Sequence, residues 1–424
     1  MAGDRAEHGT SAVKPGMRRI VLALTVMAAI FAGWRIFGQM QAEHLAETDP
    51  VAALRWRPND PVALSALAER QVQQGNMKAA AATARQLLVV EPLHGLGFRV
   101  LAEAADRHGR RAEAFKLYEI AARRAPRDLP TRAWLTQRYL EQGQYKQAIA
   151  QIDRILRVEP QRARSINPVL VQLAQDPAFA TALADALRVD PPWRMGTLAA
   201  LRDPNTGSPV AAGRVLQRLQ AKGGLSEQDY KDWLDSLIAE GRWGEAYARW
   251  AGQLATTAGR LPLVYNGDFA HPQTDTGFNW RLRKIPGVLL QFESGTGAAG
   301  QVAYVRFLDR RVPSAGLEHP LMLEPGRYLL NVRMRGQSVR SVMGLQWVIA
   351  CSGGGGEVAR TEPADGTFGW TTFQTEVTIP PEECPGQWLR LVNPVPSGAA
   401  QRVVGELWVD DVKIRQHNNE PNPE

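Results

Sequence analysis

The chain has 424 residues, 44% of them hydrophobic, and a formal net charge of +7. That length holds two or three domains, and two cysteines exclude both a disulfide-framework fold and a four-thiolate zinc site. The basic surplus concentrates in residues 54–162, where 19 Lys/Arg face 11 Asp/Glu. Such a surplus suits an acidic partner, but it is equally the solvated surface of an arginine-rich helical protein.

Residues 1–19 read as a polar, disordered cytoplasmic tail without helix caps. From Ile20 to Trp34 no charge interrupts the sequence, and with Arg35 snorkelling the apolar run reaches Phe37. Eighteen residues at ~1.5 Å each give about 27 Å, just enough for a bilayer core of ~30 Å. Segment 20–37 is therefore expected to be a transmembrane helix. Lys14, Arg18 and Arg19 precede it, and Glu43, Glu47 and Asp49 follow. The positive-inside rule then puts the N-terminus in the cytoplasm and the bulk of the chain across a bacterial inner membrane, in the periplasm. A cleaved signal peptide fits less well, because Trp34, Arg35 and Phe37 stand where small cleavage-site residues belong. Gln39 to Trp56 reads as helical, with a start signal at Asp49-Pro50.

Over Pro61–Arg162 the same residue types recur every 34 positions. Gly75, Gly109 and Gly143 form one column, Ala80, Ala114 and Ala148 the next, and Ala68, Ala102 and Thr136 a third. Pro58, Pro92, Pro126 and Pro160 close the units. Small residues belong where antiparallel helices touch, glycine ends the first helix of a pair, and proline stops the second. These columns resemble the tetratricopeptide family and imply an all-α solenoid over 50–162, whose groove takes a protein or peptide partner. Tyr118, Tyr139 and Ile152 then fall between helices as core.

From Ser165 the period is lost. Asn167-Pro168, Asp176-Pro177 and Asp190-Pro191-Pro192 start short helices, and Gly241 with Ala246 repeats the earlier spacing within Glu227–Ala255. Segment 163–258 is expected to be degenerate helical repeats, with Trp233, Trp243, Tyr247 and Trp250 as packing residues.

After Thr256, β-branched and aromatic runs alternate with Gly, Pro and Asp turns. Nine short strands are expected, at Leu263–Tyr265, Val288–Phe292, Gln301–Phe307, Leu317–Leu323, Gly326–Arg335, Gly344–Cys351, Thr371–Ile379, Gln387–Val392 and Gly405–Ile414. That number argues an all-β sandwich. Three pieces carry a resemblance: Asn266-Gly267-Asp268-Phe269 with Gly277–Trp280, the pair Gly326–Gly336 and Trp370–Pro380, and Gly405–Ile414 with its paired aspartates. Together they resemble the carbohydrate-binding-module jelly roll of the galactose-binding-like superfamily, spanning 261–416, before a tail at 417–424.

The resemblance implies a sugar ligand stacked on aromatic rings, with Trp280, Arg281 and Trp370 as candidate contacts, although Trp280 reads first as core; Trp347 and Trp408, inside strands, also read as core. It also implies a structural calcium held by Asp268 and by Asp410 or Asp411 through oxygen ligands. Apart from that calcium no cofactor is expected. Cys351 and Cys384 would pair in an oxidising compartment. No G-x-S-x-G, Walker or H-E-x-x-H motif is present, the seven histidines have no ligand spacing, and no carboxylate pair is singled out. The sequence thus reads as a non-enzymatic, membrane-anchored periplasmic scaffold or adaptor. Its place would be envelope polysaccharide (exopolysaccharide or O-antigen) assembly or export, with no nucleic-acid partner. The alternative is a protein-interaction scaffold whose jelly roll binds no sugar.

Overall fold

The computed structural model describes residues 15–254, 261–294, 300–395 and 401–417, with backbone alone at 15–19 and 21. The expected tails, apart from residues 15–19 and His417, and the join at 255–260 lie outside the described residues. The chain divides into two compact units. The first runs to Leu201 and includes Val210–Leu219; the second comprises Arg202–Pro209 and the chain from Gln220.

In the first unit, helix α1 (Pro15–Leu45) runs unbroken through the apolar segment and seven residues beyond Gly38. The helical stretch expected over Gln39–Trp56 is divided at its expected start signal: α1 ends at Leu45, and α2 (Pro50–Trp56) starts where the Asp49 carboxylate accepts the N–H of Ala52. Three helix pairs follow: α3 (Pro61–Gln73) with α4 (Met77–Val90), α5 (Gly95–Arg107) with α6 (Arg111–Arg124), and α7 (Leu129–Glu141) with α8 (Tyr145–Val158). Gly75, Gly109 and Gly143 have φ of 76°, 74° and 67°, the left-handed turn that a side chain would oppose. Ala68, Ala80, Ala102, Ala114 and Ala148 are fully buried, so the small-residue columns are the helix-contact surfaces. Beyond the repeats come α9 (Ala163–Leu173), α10 (Pro177–Leu187), α11 (Arg194–Arg202) and α12 (Pro209–Ala221).

The second unit opens with α13 (Glu227–Ala239) and α14 (Trp243–Leu254). Among the described residues ten antiparallel strands follow: β1 (Arg281–Leu282), β2 (Val288–Ser294), β3 (Gln301–Arg311), β4 (Ser314–Leu321), β5 (Gly326–Arg340), β6 (Gln346–Cys351), β7 (Glu357–Arg360), β8 (Gly366–Ile379), β9 (Gln387–Val392) and β10 (Arg402–Gln416). They form two five-stranded sheets in the orders β1-β4-β9-β6-β7 and β2-β3-β10-β5-β8. The strand expected at Leu263–Tyr265 is instead a bend and turn whose Tyr265 carbonyl meets His319 Nε2 at 3.0 Å. Alternating residues of both sheets enclose one core built around Trp280, Trp347 and Phe269.

The boundary expected near residue 258 falls elsewhere. Helices α13 and α14 belong with the sandwich, because their tryptophans are seated in it. Trp243 meets Trp388 and Phe278 edge to face at 5.6 and 6.0 Å, and Trp250 meets Tyr265 at 5.1 Å. Arg281, 2% exposed, is paired with Asp235 of α13 at 2.7 Å.

Candidate functional site

The helix pair packs on the β1–β9 side of the first sheet, through Trp243 at Trp388 and Asp235 at Arg281. The second sheet carries a set of aromatic and charged side chains on its outward face. Strand alternation puts Val305, Phe307, Leu407, Val409, Val332 and Met334 in the core. The residues between them then point outward. Register sets them in rows. Gln291 faces Tyr304, Tyr304 faces Trp408, and Trp408 faces Arg335. In the next row Asp410 faces Arg333, which faces Thr372.

The contacts along these rows are specific. Trp408 Nε1 donates to Glu293 Oε1 at 2.7 Å, and the Tyr304 ring lies 5.2 Å from the indole, tilted by 36°. The Arg335 guanidinium sits 4.5 Å over Trp408, and that of Arg333 sits 4.9 Å over Trp370. Cations over aromatic faces hold both groups in place. Partial burial pushes the Tyr304 phenol up, and a hydrogen bond to the neighbouring Glu406 carboxylate adds to it. The amides of Asn331 and Gln374 face each other on the same surface. Half-exposed rings bordered by amides and guanidinium groups present an apolar surface beside hydrogen-bond donors and acceptors.

Of the residues expected to contact a sugar, Trp370 lies half-exposed on this outward face under Arg333. Trp280 and Arg281 do not lie there. Trp280 is 0% exposed, enclosed by Phe269, Trp347 and His319, with its Nε1 donating to the Asn266 carbonyl at 2.8 Å. No face of that ring is open to a ligand. Arg281 is consumed by Asp235 and the carbonyls of Asp275 and Gly277. Trp347 is core as expected, whereas Trp408 is a surface residue. Leu407 and Val409 were the available signal, since inward neighbours on both sides turn the residue between them out.

The donors expected to hold calcium do not fit one. Asp410 is 5% exposed and lies 3.9 Å from Arg333; Asp411 is paired with Lys413; Asp268 accepts the Ala270 N–H at 3.3 Å. Burial pushes the Asp410 carboxyl above the usual carboxylate range; repulsion from Asp411 and Asp268 adds to this, while the Asp411 N–H and Arg333 oppose it. Among the described residues no three His, Cys, Asp or Glu side chains converge as a metal-holding group. The aspartate pair instead forms a β-bulge: the register shifts between Asp410 and Lys413, and Asp411 has φ of 52°.

Cys351 and Cys384 are bonded, across 33 residues of sequence. The bridge ties the end of β6 to the segment before β9, where Ser352 N–H also donates to the Gly386 carbonyl at 2.8 Å.

In the first unit the repeats segregate charge. Helices α4, α6 and α8 hold nine Lys/Arg against three Asp/Glu; α3, α5 and α7 hold five against four. Buried Arg99 bridges repeats, pairing with Glu69 and, at 3.2 Å, with Asp128. Trp134 Nε1 donates to Asp106 at 2.9 Å, again across repeats. A cavity of about 370 Å³ opens beside Lys78, Arg85, His108 and Arg110.

Residues 107–166 match the family model described as "Tetratricopeptide repeat". No curated protein matches the chain. Solved structures do. One is described as "CBM4 structure and function", at 13% identity over 36% of this chain and 99% of that one, TM-score 0.29. A second is YrrB, "a TPR protein with an unusual peptide-binding site", at 14% identity over 49% and 99%, TM-score 0.29. A third is a carbohydrate-binding module of Cellvibrio mixtus lichenase 5A in complex with cellotriose, at 19% identity over 30% and 87%, TM-score 0.19.

Proposed function

We propose that the chain is a non-catalytic scaffold of the bacterial cell envelope. Helix α1 anchors it in the inner membrane, the repeats hold a protein or peptide partner in the periplasm, and the outward face of the second sheet binds a glycan. The pathway that fits such a pairing is assembly or export of an envelope polysaccharide, an exopolysaccharide or an O-antigen.

The observation that carries this reading is the row Tyr304–Trp408–Arg335, with Trp370 under Arg333 beside it. Two indoles on one sheet face, Trp408 on β10 and Trp370 on β8 with β5 between them, match the spaced rings of a polysaccharide better than a point-like ligand. The α1 segment Leu22–Leu45 is long and apolar enough to cross a bilayer and is 6% buried in the protein, which supports the anchor. The Cys351–Cys384 bond supports an oxidising compartment.

The test is a glycan array probed with the detergent-purified full chain, beside its Trp408→Ala variant. Binding to a polysaccharide that the variant loses is the expected result. No binding to neutral or acidic glycans overturns the sugar assignment. A reporter fused behind Glu424 that is active only in the cytosol overturns the topology.

A further inference from the structure

The turn between α1 and α2 places an aromatic cluster at a particular height. Ala46 of the turn and Ala53 of α2 are buried together in one cluster, so α2 starts folding back at the end of α1. Three residues on, Trp56 packs on Trp34 at 5.6 Å and on Phe37 at 5.8 Å, with ring carbon Cε3 against Gly38. Helix α2 therefore runs antiparallel to α1. It carries Trp56 back by the rise from Leu45 to Gly38, about 10 Å at ~1.5 Å per residue. That returns Trp56 to the level where the apolar run stops.

The cluster is not closed by protein. Trp34 remains 63% exposed, Phe37 48% and Trp56 40%. Arg55 and Arg57 flank Trp56 and are exposed, and Arg35 follows Trp34 on α1. Arg57 reaches Asp60 at 3.3 Å while half of its side chain stays open. Three exposed rings ringed by guanidinium groups, level with the end of a bilayer-length helix, match the boundary between hydrocarbon and headgroups. Indole prefers that layer, having an apolar body and one N–H donor, and arginine pairs bidentately with phosphate oxygens.

We propose that α2 lies in the headgroup layer of the membrane that α1 crosses. Trp56 seats there beside Trp34 and Phe37, and Arg55 and Arg57 bind the phosphodiester groups of anionic phospholipids. The first repeat is then held on the membrane surface. This rests on the anchor reading of α1.

The test uses the full chain in nanodiscs of mixed anionic and zwitterionic phospholipid. The native cysteines are bonded to each other, so single cysteines at Met27, Trp56 and Leu93 can be spin-labelled in turn. Relative collision with oxygen and with a water-soluble nickel chelate reports depth. The label at 27 should read the bilayer centre, that at 56 the phosphate level, and that at 93 water. A buried 27 with an aqueous 56 overturns the inference and leaves the anchor standing; an aqueous 27 removes both. A second arm keeps Trp56 and changes Arg55→Gln and Arg57→Gln. Enrichment of anionic over zwitterionic lipid retained on detergent extraction should fall by roughly fivefold per arginine removed. Unchanged enrichment overturns the assignment of the two arginines.

Discussion

The indole of Trp243 lies directly on the backbone of Gly386, so closely that a Cβ there would stand 2.0 Å from Cδ2. A helix is thereby keyed into a strand-flanking loop of the sandwich through the one residue type that leaves room. Gly386→Ala should destabilise the second unit by about 1–3 kcal/mol. Gly369→Ala, in a strand where a Cβ meets nothing within 4 Å, should change stability by less than ~0.5 kcal/mol. Chemical denaturation of the two variants of the full chain checks this; equal midpoints would mean that α14 is only loosely applied.

Trp408 and Trp280 should part ways. Trp408→Ala removes a half-exposed ring and should weaken glycan binding by about tenfold, with stability changed by less than ~1 kcal/mol. Trp280→Ala empties the centre of the core and should cost about 3–5 kcal/mol of stability. Titration calorimetry beside thermal melts separates the two effects.

Burial pushes His319 down to about 4, and nearby Arg281 adds to that, against the imidazole's hydrogen bonds to the backbone at Tyr265 and Pro320. The folded chain therefore holds this imidazole neutral at pH values where the unfolded chain, near 6.5, takes up a proton. The unfolded state binds more protons between pH 6.5 and 4, so stability falls as pH falls through that window, by about 3 kcal/mol in total. His319→Gln should lack this component. Denaturation curves for the two proteins at pH 7, 5.5 and 4 should converge toward low pH; parallel curves would refute the assignment.

The Cys351–Cys384 bond closes a loop spanning 33 residues of sequence. Chain entropy makes that worth about 3–4 kcal/mol. The double variant Cys351→Ser, Cys384→Ser should lower the denaturation midpoint accordingly, and reductant should affect the native protein but not the variant.

The 34-residue columns were legible because each has a separate physical cause: left-handed glycines at Gly75, Gly109 and Gly143, and fully buried alanines at the helix contacts. Long strands were legible from their alternation. Strands β1 and β7 were not, since two and four residues hold no period to read. Trp280, just before β1, reads first as core and is core, whereas Trp408 could have been placed outward from Leu407 and Val409. The Asp410-Asp411 pair suggested a metal because two carboxylates were visible and the bulge was not. Arg281 with Asp235, 46 residues apart, is a tertiary pairing that no local pattern announces.

Helix α1 passes from its apolar run to Leu45 without a break, and α2 and α3 are packed at its end through Ala46, Ala53 and Ala63. No slack chain separates α1 from the first repeat. On the anchor reading proposed for α1, a partner of the repeats would reach them by diffusing along the bilayer plane or by arriving at its surface, because this arm cannot reel out to fetch it. Inserting a glycine–serine tract between Leu45 and Asp49 would turn the post into a leash and change which neighbours lie within reach.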